Sequence, residues 1–127
     1  SRNKLRPHMK WEVIDALATS YEADSFDVAL DKALLDTLLC EGDTSVRIEA
    51  YFREMHRVLK PGGLLALISF CPPGDRVNKV PSDLFTVKTL EVPAKGKNKI
   101  TGFHYVYVCY KTAVTNLGDL LQVTAPP

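Results

Sequence analysis

The chain has 127 residues, 46% hydrophobic and 24% charged, with 16 Lys and Arg against 15 Asp and Glu. That apolar content excludes a disordered chain, and 7 Gly and 8 Pro are too few for a collagen-like or low-complexity one. The near-neutral balance conceals an asymmetry: residues 11–45 carry nine acids and one base, Lys32, while the rest carries six acids and fifteen bases. Nucleic acid is therefore not indicated as a partner, since no uniform basic surface is available.

The acid-rich stretch has two readings, solvated loops or carboxylates gathered around a cationic ligand. The longest apolar run, Leu64 to Phe70, is broken by Ser69, so no membrane span is expected. Cys40, Cys71 and Cys109 are odd in number and contain no C-x-x-C, which argues against a disulfide framework or a zinc site and for a reducing, cytoplasmic setting. Ser1 to Lys10 is polar and basic, with no apolar region of the secretory kind.

In chain order, Trp11 to Ala16 is a short β-rich run ending at Asp15-Ala16, and Phe26 to Leu30 is a second, ending at Asp31-Lys32. A polar loop with Thr19, Ser20, Glu22, Asp24 and Ser25 joins them. Lys32 to Cys40 is rich in helix formers and closes at Glu41-Gly42-Asp43. Ser45 to Leu59 is the clearest helix: Ile48, Tyr51, Phe52, Met55, Val58 and Leu59 form one apolar stripe, and Glu49, Arg53, Glu54 and Arg57 fill the other face. Asp43, Thr44 or Ser45 can cap its start, and Arg57, Lys60, Pro61 and Gly62-Gly63 mark its stop.

Leu64 to Phe70 is apolar at successive positions, as in a parallel strand covered on both faces. Cys71-Pro72-Pro73-Gly74 stops it. Leu84–Val92 and Phe103–Tyr110 predict two further strands, joined by a basic loop, 93–102, holding Lys95, Lys97 and Lys99. The tail, 113–127, carries at most a helical turn at Leu117 to Leu121. Strand, strand, helix, helix, strand and a final hairpin predict an α/β fold with a parallel core and an antiparallel edge.

Two motifs carry a resemblance: Ser25-Phe26-Asp27-Val28-Ala29-Leu30-Asp31-Lys32, and Met55-His56-Arg57-Val58-Leu59-Lys60-Pro61-Gly62-Gly63-Leu64-Leu65. Together they resemble the fourth strand and the helix-to-fifth-strand turn of a class I S-adenosylmethionine (SAM)-dependent methyltransferase. Asp31-Lys32-Ala33-Leu34-Leu35-Asp36 resembles the D-K-G-T-x-D signature of the methyltransferase-like group, with Ala33 and Leu34 where Gly and Thr are usual. That group is similar to protein-lysine methyltransferases acting on elongation factor 1A and to a mitochondrial relative acting on citrate synthase. Arg6 to Trp11 also resembles the approach to the third strand there.

The resemblance implies a Rossmann-like methyltransferase fold from the third strand onward, with a mostly parallel sheet and a C-terminal antiparallel hairpin. Residues 1–112 would be the C-terminal two thirds of the domain, and 113–127 a tail. No G-x-G-x-G occurs in the chain, so the glycine-rich cofactor loop and the second-strand acid are expected before Ser1, with association to that N-terminal segment.

The cofactor implied is SAM, and the function methyl transfer to a protein lysine amine on a protein substrate. By resemblance, Asp15 accepts a hydrogen bond from the adenine amino group and Ala16 offers its amide to the ring. The backbone of Asp31 and Lys32 contacts the methionine part, while their side chains face the acceptor pocket. The residues alone leave open a second reading, an internal ion pair fixing that turn, and Asp36 can pair with Lys32 on the helix.

No catalytic residue is assigned, because the sulfonium is already activated and catalysis rests on positioning and desolvation. Asp31 or Asp36 would orient a lysine amine. His8, His56 and His104 share no metal-ligand spacing; His56 reads as structural, and His104 as a structural or cleft-facing residue. A non-catalytic binding module or truncated isoform is the alternative. A nicotinamide-dependent short-chain dehydrogenase would need Y-x-x-x-K, but Met55 stands four places after Tyr51.

Overall fold

A segment long enough to carry helices back across a sheet separates Phe26–Lys32 from the run at Leu64, and this is the connection a parallel pair requires. In the computed structural model, which describes residues 8–41, 45–96 and 99–112, β1 (Phe26–Lys32) leads through α1 (Leu34–Leu39) and α2 (Ser45–Val58) into β2 (Leu59–Ser69). A single-turn α3 (Pro73–Arg76) and a 3₁₀ turn (Val77–Lys79) precede the hairpin of β3 (Phe85–Gly96) and β4 (Lys99–Lys111). The sheet order is β1-β2-β4-β3. Only β1 and β2 are parallel; β2–β4 and β4–β3 are antiparallel. The sheet is thus mixed rather than mostly parallel, because among the described residues only one pair of strands is joined by a helical crossover.

Two further expectations change. Trp11 to Ala16 forms no strand. A strand needs a ladder of backbone bonds to a neighbouring strand, and the described sheet, β1-β2-β4-β3, pairs none with this run. The basic loop expected over 93–102 is mostly strand, with pairing carried from Pro93↔Phe103 out to Gly96↔Lys99 across a bulge at Ala94/Lys95. Pro93 is tolerated because β3 is an edge strand, where a missing N–H costs no ladder bond. The tail 113–127 and the capping candidates Asp43 and Thr44 lie outside the described residues.

The side-chain alternation of the strands sorts the sheet into two unlike faces. On one, Leu65 and Leu67 of β2 stand beside Cys109 and Tyr107 of β4, and all four are buried. They join Leu35 and Leu38 of α1, Ile48, Tyr51 and Phe52 of α2, and Phe85 in one apolar cluster. On the other, Val28, Leu30 and Leu90 are exposed and Leu64, Ala66 and Ile68 only half-buried. The run Leu64–Phe70 is therefore covered on one face among the described residues, not on both.

The turn into β2 uses its two glycines differently. Gly62 has φ +82°, where a β-carbon is costly. At Gly63 a β-carbon would lie 2.8 Å from the Lys60 carbonyl oxygen and 2.9 Å from that of Asp27. Neither caps α2: its carbonyls at Arg57 and Val58 accept from the N–H groups of Asp24 (2.9 Å) and Ser25 (2.8 Å), at the entry to β1.

Candidate functional site

The carboxyl end of β1 is where ligands gather in open α/β sheets. There the Asp31 side chain turns inward. Its carboxylate accepts from the backbone N–H groups of Leu34 (2.7 Å) and Leu35 (3.1 Å) and from the Tyr51 hydroxyl (2.5 Å), and the residue is 6% exposed. It thus satisfies orphan donors of α1 and fixes the helix to β1. Burial, reinforced by the Asp31 charge, raises the Tyr51 pKa, so its hydroxyl stays a donor. The alternative reading, an Asp31–Lys32 ion pair, does not form; the Asp31 carboxylate is turned to α1 and Tyr51 instead. Lys32 is exposed and unpaired among the described residues.

Ala33 follows with φ 70°, a left-handed conformation unusual for a residue with a β-carbon. It stands where the resembled signature has glycine, which supplies the physical reason for glycine there. Asp36 does not pair with Lys32. Its carboxylate accepts from Arg76 Nε (2.8 Å) and Ser69 Oγ (2.8 Å), tying α1 to α3 and the end of β2. Arg76 also donates to Cys71 Sγ (2.9 Å), and the Tyr107 hydroxyl donates to the Cys71 carbonyl. Neither Asp31 nor Asp36 is therefore a free carboxylate for orienting an amine.

The second candidate pair lies on the loop before β1. Asp15 Oδ1 accepts from the Leu17 N–H (2.9 Å), and the Asp15 carbonyl from the Ala18 N–H (3.1 Å), closing a tight turn. Asp15 is exposed; its Oδ2 and the Ala16 N–H engage no described residue.

The turn is held from below by α2. Thr19 donates its N–H (2.8 Å) and hydroxyl (2.6 Å) to Glu54 Oε2, and Arg57 forks onto the same carboxylate at 2.9 and 2.7 Å. Arg57, aided by Thr19 and opposed by burial, pulls the Glu54 pKa down to about 2. Glu54 was expected on the solvent face of α2; it is buried instead because the loop packs over it. Helical periodicity alone carries no signal of a loop folded across a polar face.

Ala16, Asp31 and Lys32 line one cavity of about 370 Å³, together with Thr19, Tyr51 and the apolar residues flanking β1. That volume lies in the range of small-molecule sites, ~300–1,000 Å³. Asp15 stands beside this cavity without lining it. Elsewhere, His56 is buried, its Nε2 3.2 Å from the Thr112 carbonyl and its ring edge-on to Phe85. His104 packs edge-on to Phe70 at 4.5 Å. Among the described residues no three His, Cys, Asp or Glu side chains converge as metal ligands, and no helix is long and apolar enough to cross a membrane.

Comparison with known proteins gives a consistent family. Residues 1–67 match the model of the methyltransferase domain family. The "eEF1A lysine and N-terminal methyltransferase homolog" of Drosophila melanogaster is 40% identical over 68 residues, 52% of this chain and 10% of its own length. The mouse "EEF1A lysine methyltransferase 4" is 23% identical over 123 residues, 90% of this chain and 46% of its own. The chain thus spans a tenth to about half the length of these curated relatives. The fold superposes on the N-methyltransferase NodS of Bradyrhizobium japonicum WM9, solved with S-adenosyl-L-homocysteine. The TM-score is 0.63 at 17% identity, over 87% of this chain and 58% of that one.

Proposed function

This chain belongs to the methyltransferase domain family, and on that premise we propose that it contributes the adenine-side half of a SAM site to methyl transfer onto a protein lysine amine. The observation that carries the reading is the Asp15–Ala16 turn. It presents a carboxylate oxygen beside an N–H, an acceptor next to a donor, neither engaged by a described residue. Adenine offers the complementary donor and acceptor on one edge, so these residues fit the group. Ala16 and the Asp31–Lys32 backbone edge one cavity, which supports the ribose and methionine part lying along the end of β1.

When bound, the sulfonium supplies an already activated methyl group. What the chain's own residues contribute is orientation and exclusion of water. Tyr51 and the α1 donors hold the Asp31 segment, while Ile14, Val28 and Leu34 make the cavity wall apolar. The lysine acceptor is supported by the names of the fly and mouse relatives. Lys32 is exposed at the cavity and faces the acceptor side in this reading. A reducing, cytoplasmic setting is part of the same reading, since Cys40, Cys71 and Cys109 are all free thiols.

The test is calorimetric titration with S-adenosylhomocysteine. Asp15→Ala is expected to weaken binding by about 1.5–3 kcal/mol, the usual worth of a hydrogen bond to a charged group. An unchanged affinity removes Asp15 from the site. Methylation of a lysine peptide separates this reading from a binding module without turnover.

A further inference from the structure

The turn that offers Asp15 and Ala16 belongs to no helix or strand, so something else must fix its position. The segment that follows it is hydrogen-bonded to α2, and the Tyr21 hydroxyl donates back to Glu12 Oε2 (2.7 Å), on the other flank of the turn. Thr19, the residue directly after the Asp15–Ala18 turn, gives both its donors to Glu54 Oε2. The Tyr21 N–H donates to the Thr19 hydroxyl (3.3 Å), and Asp24 and Ser25 bond the last carbonyls of α2. Segment 19–25 is therefore pinned to α2 at both ends. Thr19 is 7% exposed and Glu54 9%. Glu54 keeps its charge in this setting because Arg57 lies across it with two hydrogen bonds.

We propose that Glu54 is a positioning residue for cofactor binding, which through Thr19 holds the Asp15–Ala16 turn in the place where it meets adenine. The inference rests on the reading of Asp15 and Ala16 given above. Its physical content is preorganisation: a turn already fixed before the ligand arrives need not be ordered by binding. A turn released from Glu54 must be ordered at the expense of affinity. Glu54 and Arg57 touch no ligand in this scheme.

Two measurements on the intact chain decide it. In calorimetry with S-adenosylhomocysteine, Glu54→Gln and Thr19→Val each should weaken binding about tenfold, the equivalent of one hydrogen bond to a charged group. Thr19→Ser, which keeps the hydroxyl, should stay within about twofold of the parent. Adding Glu54→Gln to Asp15→Ala should cost less than Glu54→Gln costs the parent, because only the Ala16 N–H is then left to place; a purely structural Glu54 gives additive losses instead. In amide hydrogen exchange without ligand, Glu54→Gln should speed exchange at Leu17, Ala18 and Thr19 about tenfold or more while the β4 amides keep their protection.

Unchanged exchange in the loop overturns the clamp whether or not any ligand binds. So do additive losses in the cycle, or parent-like affinity in both single variants. By contrast, an Asp15→Ala variant that binds S-adenosylhomocysteine like the parent, with the loop released by Glu54→Gln, would sink the cofactor reading and leave Glu54 as a holder of that loop alone.

Discussion

The two faces of the sheet are built from similar residues and live under different conditions. On the helix side, Leu65, Leu67, Tyr107 and Cys109 are at most 2% exposed; on the other, Val28 and Leu30 of β1 are 55% and 70% exposed. Both sets are apolar, so hydrophobicity does not distinguish them. What separates them is whether another element of the described chain lies opposite. Burial follows partnership, and so does chemistry. Burial pushes the Cys109 thiol up to about 12, which disfavours the reactive thiolate, and among the described residues no buried side-chain nitrogen or oxygen lacks a hydrogen-bond partner.

The sharpest break of this comparison is a pair of truncations. Leu67→Ala on the covered face should cost about 2–5 kcal/mol, the range for a buried leucine. Leu30→Ala on the face that no described element covers should stay within about 0.5 kcal/mol. Denaturant melts measure both; equal losses would mean that the face carrying Leu30 is covered in solution.

The turn that delivers β2 to the covered face comes next. Gly63→Ala should destabilise by about 1–3 kcal/mol, since the atoms met are two backbone carbonyls that cannot swing aside. Gly62→Ala meets open space and should lose only the left-handed penalty of about 1–2 kcal/mol. The reverse order would place the crowded glycine at the wrong position.

Acid then probes the polar extension of the covered side. Glu54 has its folded pKa depressed to about 2 from an ordinary 4.5, so its contribution is fully present above about 4.5 and is lost as pH falls toward 2. Stability measured from pH 5 to pH 2 should fall by about 1–2 kcal/mol more in the parent than in Glu54→Gln. Buried His56, whose pKa burial lowers, opposes folding in the same direction when it is forced to charge. Both chains carry His56, so their difference isolates Glu54.

The smallest expected effect is a gain. Ala33→Gly removes the strain of φ 70° and adds chain entropy to the unfolded state, for a net stabilisation of about 0.5–1 kcal/mol. Calorimetric melting reads this as a rise of a few degrees. A loss instead would show that the Ala33 methyl packs usefully beside β1.

Much of this fold was legible along the chain. The period of α2, the Pro-Gly-Gly turn, the two strands of the hairpin and the parallel entry of β1 all follow from local pattern, because helix stripes and turn residues act over a few residues. The motifs around Asp31 and Arg57 carried the family as well. Less legible was which carboxylates are free. Asp31, Asp36 and Glu54 look alike in the sequence; their partners Tyr51, Arg76 and Thr19 lie 20, 40 and 35 residues away.

The sequence by itself determined the helices, the turn glycines and the Asp15–Ala16 and Asp31–Lys32 candidates, since those depend on residue type and short spacing. Only the tertiary structure decided that Trp11–Ala16 forms no strand, that the sheet is mixed and that no described element covers one of its faces. It also decided that Asp31 caps α1 and that Glu54 holds the candidate cofactor turn. The reason is physical: strand pairing, burial and the saturation of a carboxylate are properties of what lies across space, and hydrogen-bond partners are chosen there rather than along the chain.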